Sequence, residues 1–206
     1  MFLTREIWIL MFQRAAQSLK ANADILSRLD SAIGDGDHGV TINKIADKIA
    51  QLATNWQADT PTPKFFEELS EAITNIGGGS AGPLWGTFLE GLGAQATEQM
   101  DAAQVKLSFE SACQTLAEIS GAKVGDKTMM DAIIPAVQSI QAADGDIPSI
   151  LSAGAMAAAQ GADNTANFAA KFGRAKNLKE KSLGHKDPGA VSIALLFAAF
   201  AEAVQA

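Results

Sequence analysis

Apolar residues return every three or four positions along nearly the whole of this 206-residue chain, and no stretch alternates apolar with polar for long. That period belongs to helices that bury one face, whereas a half-buried strand would repeat every second residue. Ile7, Met11, Ala15 and Leu19 form such a row and Leu26 and Leu29 continue it, so residues 4–28 are expected as a long first helix. Ile42, Ile45, Ile49 and Leu52 mark a second, and Phe65, Phe66, Leu69 and Ile73 a third, opened by the proline-rich turn at 60–63. A fourth is expected from Pro83 to Glu98. Phe109, Cys113, Leu116 and Ile119 give a fifth, closed by Gly121, and Ile133, Ala136, Val137 and Ile140 give a sixth, with Pro135 as a kink or tight-packing point. The alanine-rich run from Pro148 to Ala170 reads as a seventh. Asp187-Pro188 sets a capping carboxylate before a proline at the first helical position, which starts a last helix over 188–205. Val191, Ile193, Leu195, Leu196, Phe197 and Phe200 make that helix apolar nearly all round, so it is expected deep inside. The expected fold is all-α, about eight antiparallel helices in a bundle or barrel, as a single domain over 1–206.

The chain has material for one substantial core, with 48% hydrophobic and 19% charged residues. No run approaches the roughly 20 uninterrupted apolar residues of a membrane helix. Arg5 and Glu6 break the apolar opening and no small-residue cleavage site follows, so no signal peptide is read. The lone Cys113 excludes an intramolecular disulfide framework, and a cytoplasmic location is expected. Cys113 also lies on an apolar helix face, where a core role is expected. Twenty-three acidic against 16 basic residues give a net charge of -7, which argues against a general nucleic-acid surface. Yet Lys171, Arg174, Lys176, Lys179, Lys181 and Lys186 crowd into one segment opposed only by Glu180. A local basic loop on an acidic protein suits a small polyanion.

The glycines gather at expected helix junctions, 34–39, 77–82, 121–125 and 184–189, each with polar chemistry beyond turn-making. In the first, Asp30, Asp35 and Asp37 bring three like charges together on pliable backbone, next to His38. Such carboxylates repel unless a cation relieves them, and magnesium takes oxygen ligands of this kind while phosphates and water complete its shell. The EF-hand pattern fails, because Val40 stands where its glycine belongs and Ala46 where its glutamate belongs. In the second junction, Gly77-Gly-Gly-Ser-Ala-Gly82 opens into a helix, and free N–H groups beside a positive dipole end suit phosphate. The third, Gly121 to Thr128, resembles a Walker A loop but has Asp126 in place of its second glycine and follows a helix, so a P-loop is rejected. His38 and His185 are the only histidines, and no nucleophile–base–orienter arrangement is legible.

Taken together, Ile33-Gly-Asp-Gly-Asp-His-Gly39, Asn43, the glycine loop with its Gly-Pro-Leu-Trp-Gly-Thr-Phe continuation to Phe88, Gly125-Asp-Lys-Thr-Met-Met-Asp131, Gly173-Arg-Ala175 and Gly184-His-Lys-Asp-Pro-Gly-Ala190 resemble the nucleotide-binding L subunit of bacterial dihydroxyacetone kinase. The resemblance spans essentially the whole chain, with the motifs in family order. It implies an eight-helix antiparallel barrel holding ADP or ATP at one end through two magnesium ions. By motif match, Asp30, Asp35 and Asp37 would be the metal ligands. His38 and Thr41 would lie beside the phosphates, with Ser80 and Ala81 in the glycine loop. Gly121 and Met129 would flank the adenine, and Arg174, Asp187, Pro188 and Gly189 would close the site. The resemblance further implies a separate K subunit carrying the ketose, so that no catalytic base is expected on this chain. The donor would be a phosphotransferase-system M subunit acting on resident ADP; alternatives are an ATP-exchanging kinase of four-carbon ketoses of the erythrulose type and a non-catalytic nucleotide-binding regulatory module. Two departures from the family pattern are Ala81, where serine is common and the serine has moved to Ser80, and Thr41-Ile42 for Asn-Met.

Overall fold

The computed structural model describes residues 1–205, and among these its regular structure is helical apart from one isolated β-bridge, Leu3 with Met100, that fastens the N-terminus. The helices are α1 (Arg5–Ala21), α2 (Ala23–Ile33), α3 (His38–Asn55), α4 (Thr62–Thr74), α5 (Ala81–Gly93), α6 (Ala102–Ser120), α7 (Met130–Ala142), α8 (Ile147–Asn164) and α9 (Pro188–Ala203). Two 3-10 segments, Thr165–Asn167 and Arg174–Ser182, lie between α8 and α9.

The expected first helix is in fact two, α1 and α2, broken at Asn22. The Asn22 side chain donates to Ser18 O at 2.8 Å, and its backbone N–H is shared between Ser18 O and Leu19 O. An asparagine that bonds the preceding turn offers the backbone an alternative to continuing the helix. With α1 and α2 counted as one bent rod, the fold is an eight-helix antiparallel barrel. Three other helices differ from their expected bounds. The fourth expected helix starts earlier and stops at Gly93, the seventh gives way to 3-10 turns after Asn164, and the last ends at Ala203. The basic segment, expected as open loop, is largely 3-10.

Each rod packs on its chain neighbour, from α3 round to α9, and α9 returns to pack on α1 and α2, which closes the ring. One contiguous apolar core fills it. Trp8 of α1 lies at the closure, with its ring 5.7 Å from Phe12, edge-on to Phe66 of α4 at 5.2 Å and to Phe200 of α9 at 6.0 Å. A second aromatic group, Phe88, Phe109 and Phe197, ties α5 and α6 to α9. Closeness depends on glycine at chosen points. A Cβ on Gly39 would collide with the Ala23 carbonyl, so α3 can start hard against α2 only with glycine there.

An up-down ring sends alternate junctions to the same end. The α2–α3, α4–α5, α6–α7 and α8–α9 junctions are such a set, and they meet around one cleft. Among the described residues, no helix is long and apolar enough to cross a membrane.

Candidate functional site

The cleft has a volume of about 210 Å³ and draws its walls from those four junctions. Its acidic wall comes from the end of α2 and the start of α3. Asp30, Asp35 and Asp37 each offer a carboxylate oxygen, and these oxygens lie within 4.8 Å of one another. Asp30 is held by the His38 N–H, which donates to its Oδ2 at 3.2 Å, and by a tight fit over Gly34, where a Cβ would collide with Asp30 Oδ1. Among the described residues, the only cation paired with the cluster is Arg174, whose guanidinium lies 3.0 Å from Asp35 Oδ2. One positive charge against three negative ones leaves an excess that a divalent cation fits, in both charge and oxygen chemistry.

The opposite wall is the N-terminus of α5. Gly78 and Gly79 adopt φ of 132° and 70°, and Ser80 occupies the cap position without its side chain capping the helix. Pro83 has no N–H, so the first-turn donors are those of Ala81 and Gly82, at the positive end of the helix dipole. Thr41, buried in α3, places its Oγ1 3.5 Å from Gly78 O, and a Cβ on Gly78 would strike that hydroxyl. Arg174 spans the gap. One end of its guanidinium meets Asp35, and the other lies 3.7 Å from where a Gly79 Cβ would be.

Ile33, Leu84, Trp85, Met129 and Phe172 give the cleft an apolar side. Its floor is the start of α9, where Asp187 caps the helix by accepting from Ala190 N at 2.7 Å and Pro188 sits at the first position. His38 Nε2 lies 3.2 Å from Ser192 Oγ, whose own hydrogen is directed to Gly189 O at 2.8 Å. We therefore assign the proton to Nε2, donating to Ser192. Burial pulls the His38 imidazole below its usual range, against the opposing pull of Asp30 and Asp37.

Desolvation raises the Asp187 carboxyl to about 7; the Ala190 N–H opposes this, Asp131 and Asp30 add to it, and Lys127 opposes it. A carboxyl whose native pKa exceeds its unfolded value binds more protons folded than unfolded between the two. Its contribution to stability is therefore full below about pH 4 and falls as pH rises toward about 7. Asp187→Asn keeps an acceptor for Ala190 and cannot ionise. Melting temperatures of the nucleotide-free protein are expected to fall less between pH 4 and 8 in this variant than in the parent. An identical fall in both would remove Asp187 from the account.

Of the residues singled out in the sequence, Asp30, Asp35, Asp37, His38, Ser80, Ala81, Met129, Arg174, Asp187, Pro188 and Gly189 all line this cleft. Thr41 lies one turn behind it. Gly121 does not line it; with φ of 63° it closes α6, donating to Ala117 O. The sequence reading missed Lys127 and Phe172. The first lies within Gly-Asp-Lys-Thr, where the sequence resembles only a failed Walker pattern, and the second is one aromatic in a basic run. Cys113 lies outside the cleft, and burial together with Glu110 pushes its thiol up to about 11, which suits no nucleophile.

The DAK2 domain matches residues 32–202 of the chain. An L-erythrulose kinase of Pectobacterium atrosepticum is 34% identical over 185 residues, which are 85% of this chain and 31% of that protein. The ADP-binding subunit DhaL of PEP-dependent dihydroxyacetone kinase 1 of Listeria innocua is 34% identical over 182 residues, 88% of this chain and 87% of that one. The corresponding Escherichia coli subunit is 29% identical over 202 residues, 94% of each. The crystal structure of the dihydroxyacetone kinase from C. freundii in complex with AMP-PNP and Mg2+ superposes with a TM-score of 0.74 at 28% identity, over 98% of this chain and 34% of that one. The chain thus spans about a third of the erythrulose kinases it matches and nearly all of the DhaL subunits. On the extent of the domain match and the identity with the L. innocua subunit, this chain belongs to the DAK2-domain family and is DhaL-like.

Proposed function

We propose that this chain is an L-type kinase subunit that binds ADP or ATP with magnesium in the four-junction cleft and passes a phosphoryl group to a short ketose held on a separate K-type subunit. The observation that carries this reading is the joint presence, in one cleft, of three clustered carboxylates, a glycine-rich helix N-terminus and an arginine between them. Asp30, Asp35 and Asp37 would hold magnesium, which when bound neutralises charge on the phosphates. The backbone of Ser80 and Ala81 would meet the phosphates, and the alanine at 81 makes that contact one of N–H groups rather than of a hydroxyl. Arg174 would face the phosphates from the other side. Met129, with Ile33, Leu84, Trp85 and Phe172, offers the adenine an apolar bed, and Asp187, Pro188 and Gly189 form the floor beneath it. Thr41 acts on the glycine loop from behind. Phosphoryl transfer depends mainly on positioning and charge, so a chain without its own base is sufficient when the acceptor comes from a partner.

For the donor we favour a phosphotransferase-type M subunit acting on ADP that stays bound. Supporting this is the match, over nearly the full length of both chains, to subunits whose names specify PEP dependence and ADP binding. A second reading, ATP exchanging in a kinase of a four-carbon ketose, draws on the 34% identity to an L-erythrulose kinase.

The test is transfer of labelled phosphate to dihydroxyacetone and to erythrulose in the presence of a K-type subunit. Phosphoenolpyruvate feeding the relay proteins, without added nucleotide, is expected to label the sugar through this chain. Labelling only with added ATP would select the second reading, and no labelling by either route would reject the kinase assignment.

A further inference from the structure

Lys127 is a buried cation for which the proposed nucleotide site has no role. It is only 2% exposed, and its backbone holds φ of 61°, a conformation in which glycine is the usual occupant. The turn around it is firmly fixed. Asp131 accepts from Gly125 N at 2.6 Å and from Thr128 N at 2.7 Å, one on each side of Lys127. A non-glycine residue kept in left-handed backbone by its surroundings points to a use for its side chain.

The side chain reaches the base of the crossover between α8 and α9. Nζ donates to Thr165 O at 2.6 Å and also to His185 O. Those carbonyls are twenty residues apart in sequence and belong to the two ends of one loop. Gly184 N donates to Ala166 O at 2.8 Å and Asp187 N to Thr165 Oγ1 at 2.8 Å, so the two ends run side by side under the ammonium. The neighbouring Asp126 grips the same loop from the flank. Its backbone carbonyl accepts from Lys171 N at 3.1 Å and its Oδ1 pairs with Lys171 Nζ at 2.7 Å. From this base, Phe172, Gly173, Arg174 and Ala175 extend over the cleft, and among the described residues the only ion pair of their tip is Arg174 with Asp35, both half-open to solvent. A partly exposed ion pair is too weak to place a loop by itself. The geometry at its base is buried and charge-assisted, and such bonds are strong.

We propose that Lys127 is a positioning residue: by joining the two ends of the 165–187 crossover it holds Arg174 and Phe172 over the cleft, and so sets how long a nucleotide stays. Lys127 borders the cleft, but its ammonium is directed at the Thr165 and His185 carbonyls, so it acts through the loop. The inference rests on the nucleotide reading for what the loop serves, whereas the clamp itself is a statement about this chain alone.

Two variants test it. Lys127→Met removes the donors at similar side-chain length, and Lys127→Gly removes them while easing the backbone, so that folding is not at risk from the φ angle. Hydrogen exchange on the full chain is expected to quicken at least about tenfold at amides 170–184 in both variants, with the interior of α1 and α9 unchanged. Release of a fluorescent ADP analogue with magnesium is expected to quicken by a similar factor. Arg174→Ala should speed release in the parent but add less than about twofold in the Lys127→Met background, because the arginine is already displaced there. Parental exchange at 170–184, exchange that rises evenly through α7, α9 and the loop, or an undiminished Arg174→Ala effect would each overturn the proposal. If the parent binds no ADP, the functional reading fails on its own, and the exchange comparison still decides the clamp.

Discussion

Asp35→Asn is expected to lower phosphoryl transfer by on the order of a hundred- to a thousandfold while leaving the fold in place. The asparagine keeps the shape and removes one of three charges from the cluster whose oxygens lie within 4.8 Å. Asp35 is the cleanest of the three to change. Its side chain is 40% exposed and its partner Arg174 is 59% exposed, so the ion pair it gives up contributes little to stability. A loss of at most about 1 kcal/mol lowers the melting temperature of a chain this size by no more than about 4 °C. Asp30 is a poorer probe, since its carboxylate also receives the His38 N–H and packs over Gly34. Transfer measured with a complementing K-type subunit, beside a melting curve, separates the two effects. Near-parental transfer would return Asp35 to the role of a turn residue.

Trp8→Ala is expected to have the opposite profile, with large loss of stability and no direct effect on the cleft. Trp8 is fully buried where α1 meets α4 and α9, and truncating it leaves a cavity among Phe12, Phe66 and Phe200. Large-to-small changes of this kind cost about 3–5 kcal/mol, or roughly 6–20 °C in melting temperature. Trp8→Phe should recover most of that loss, because the indole N–H of Trp8 is buried without a partner and nothing bonded is given up. Denaturant titration of the three proteins checks the order. A Trp8→Ala midpoint equal to the parent's would show that ring closure does not depend on this contact.

The all-helical fold was legible because amphipathic periodicity survives in nearly every rod, and the caps at Asp187 and Gly121 fall where their residue types indicate. The break at Asn22 was not, because a residue that bonds its own preceding turn leaves the apolar row from Ile7 to Leu29 intact. The early stop at Gly93 was hidden for a related reason. Apolar spacing runs through it, and the glycine is there to let α5 close on Phe66. In the cleft, the carboxylates and the glycine loop announced themselves by residue type at short spacing. That their junctions share an end follows from the parity of an up-down ring, which no single motif carries. Lys127 was invisible because its partners are two backbone carbonyls, Thr165 O and His185 O, which leave no mark in residue identity.

The most direct measurement is calorimetric titration of ADP into the purified chain, first stripped of any resident nucleotide, with millimolar magnesium and again with a chelator, for the parent and for Asp35→Asn. Binding by the parent is expected to require magnesium and to be severely weakened in Asp35→Asn. Binding indifferent to both magnesium and Asp35, or no binding of ADP under any of these conditions, would contradict it.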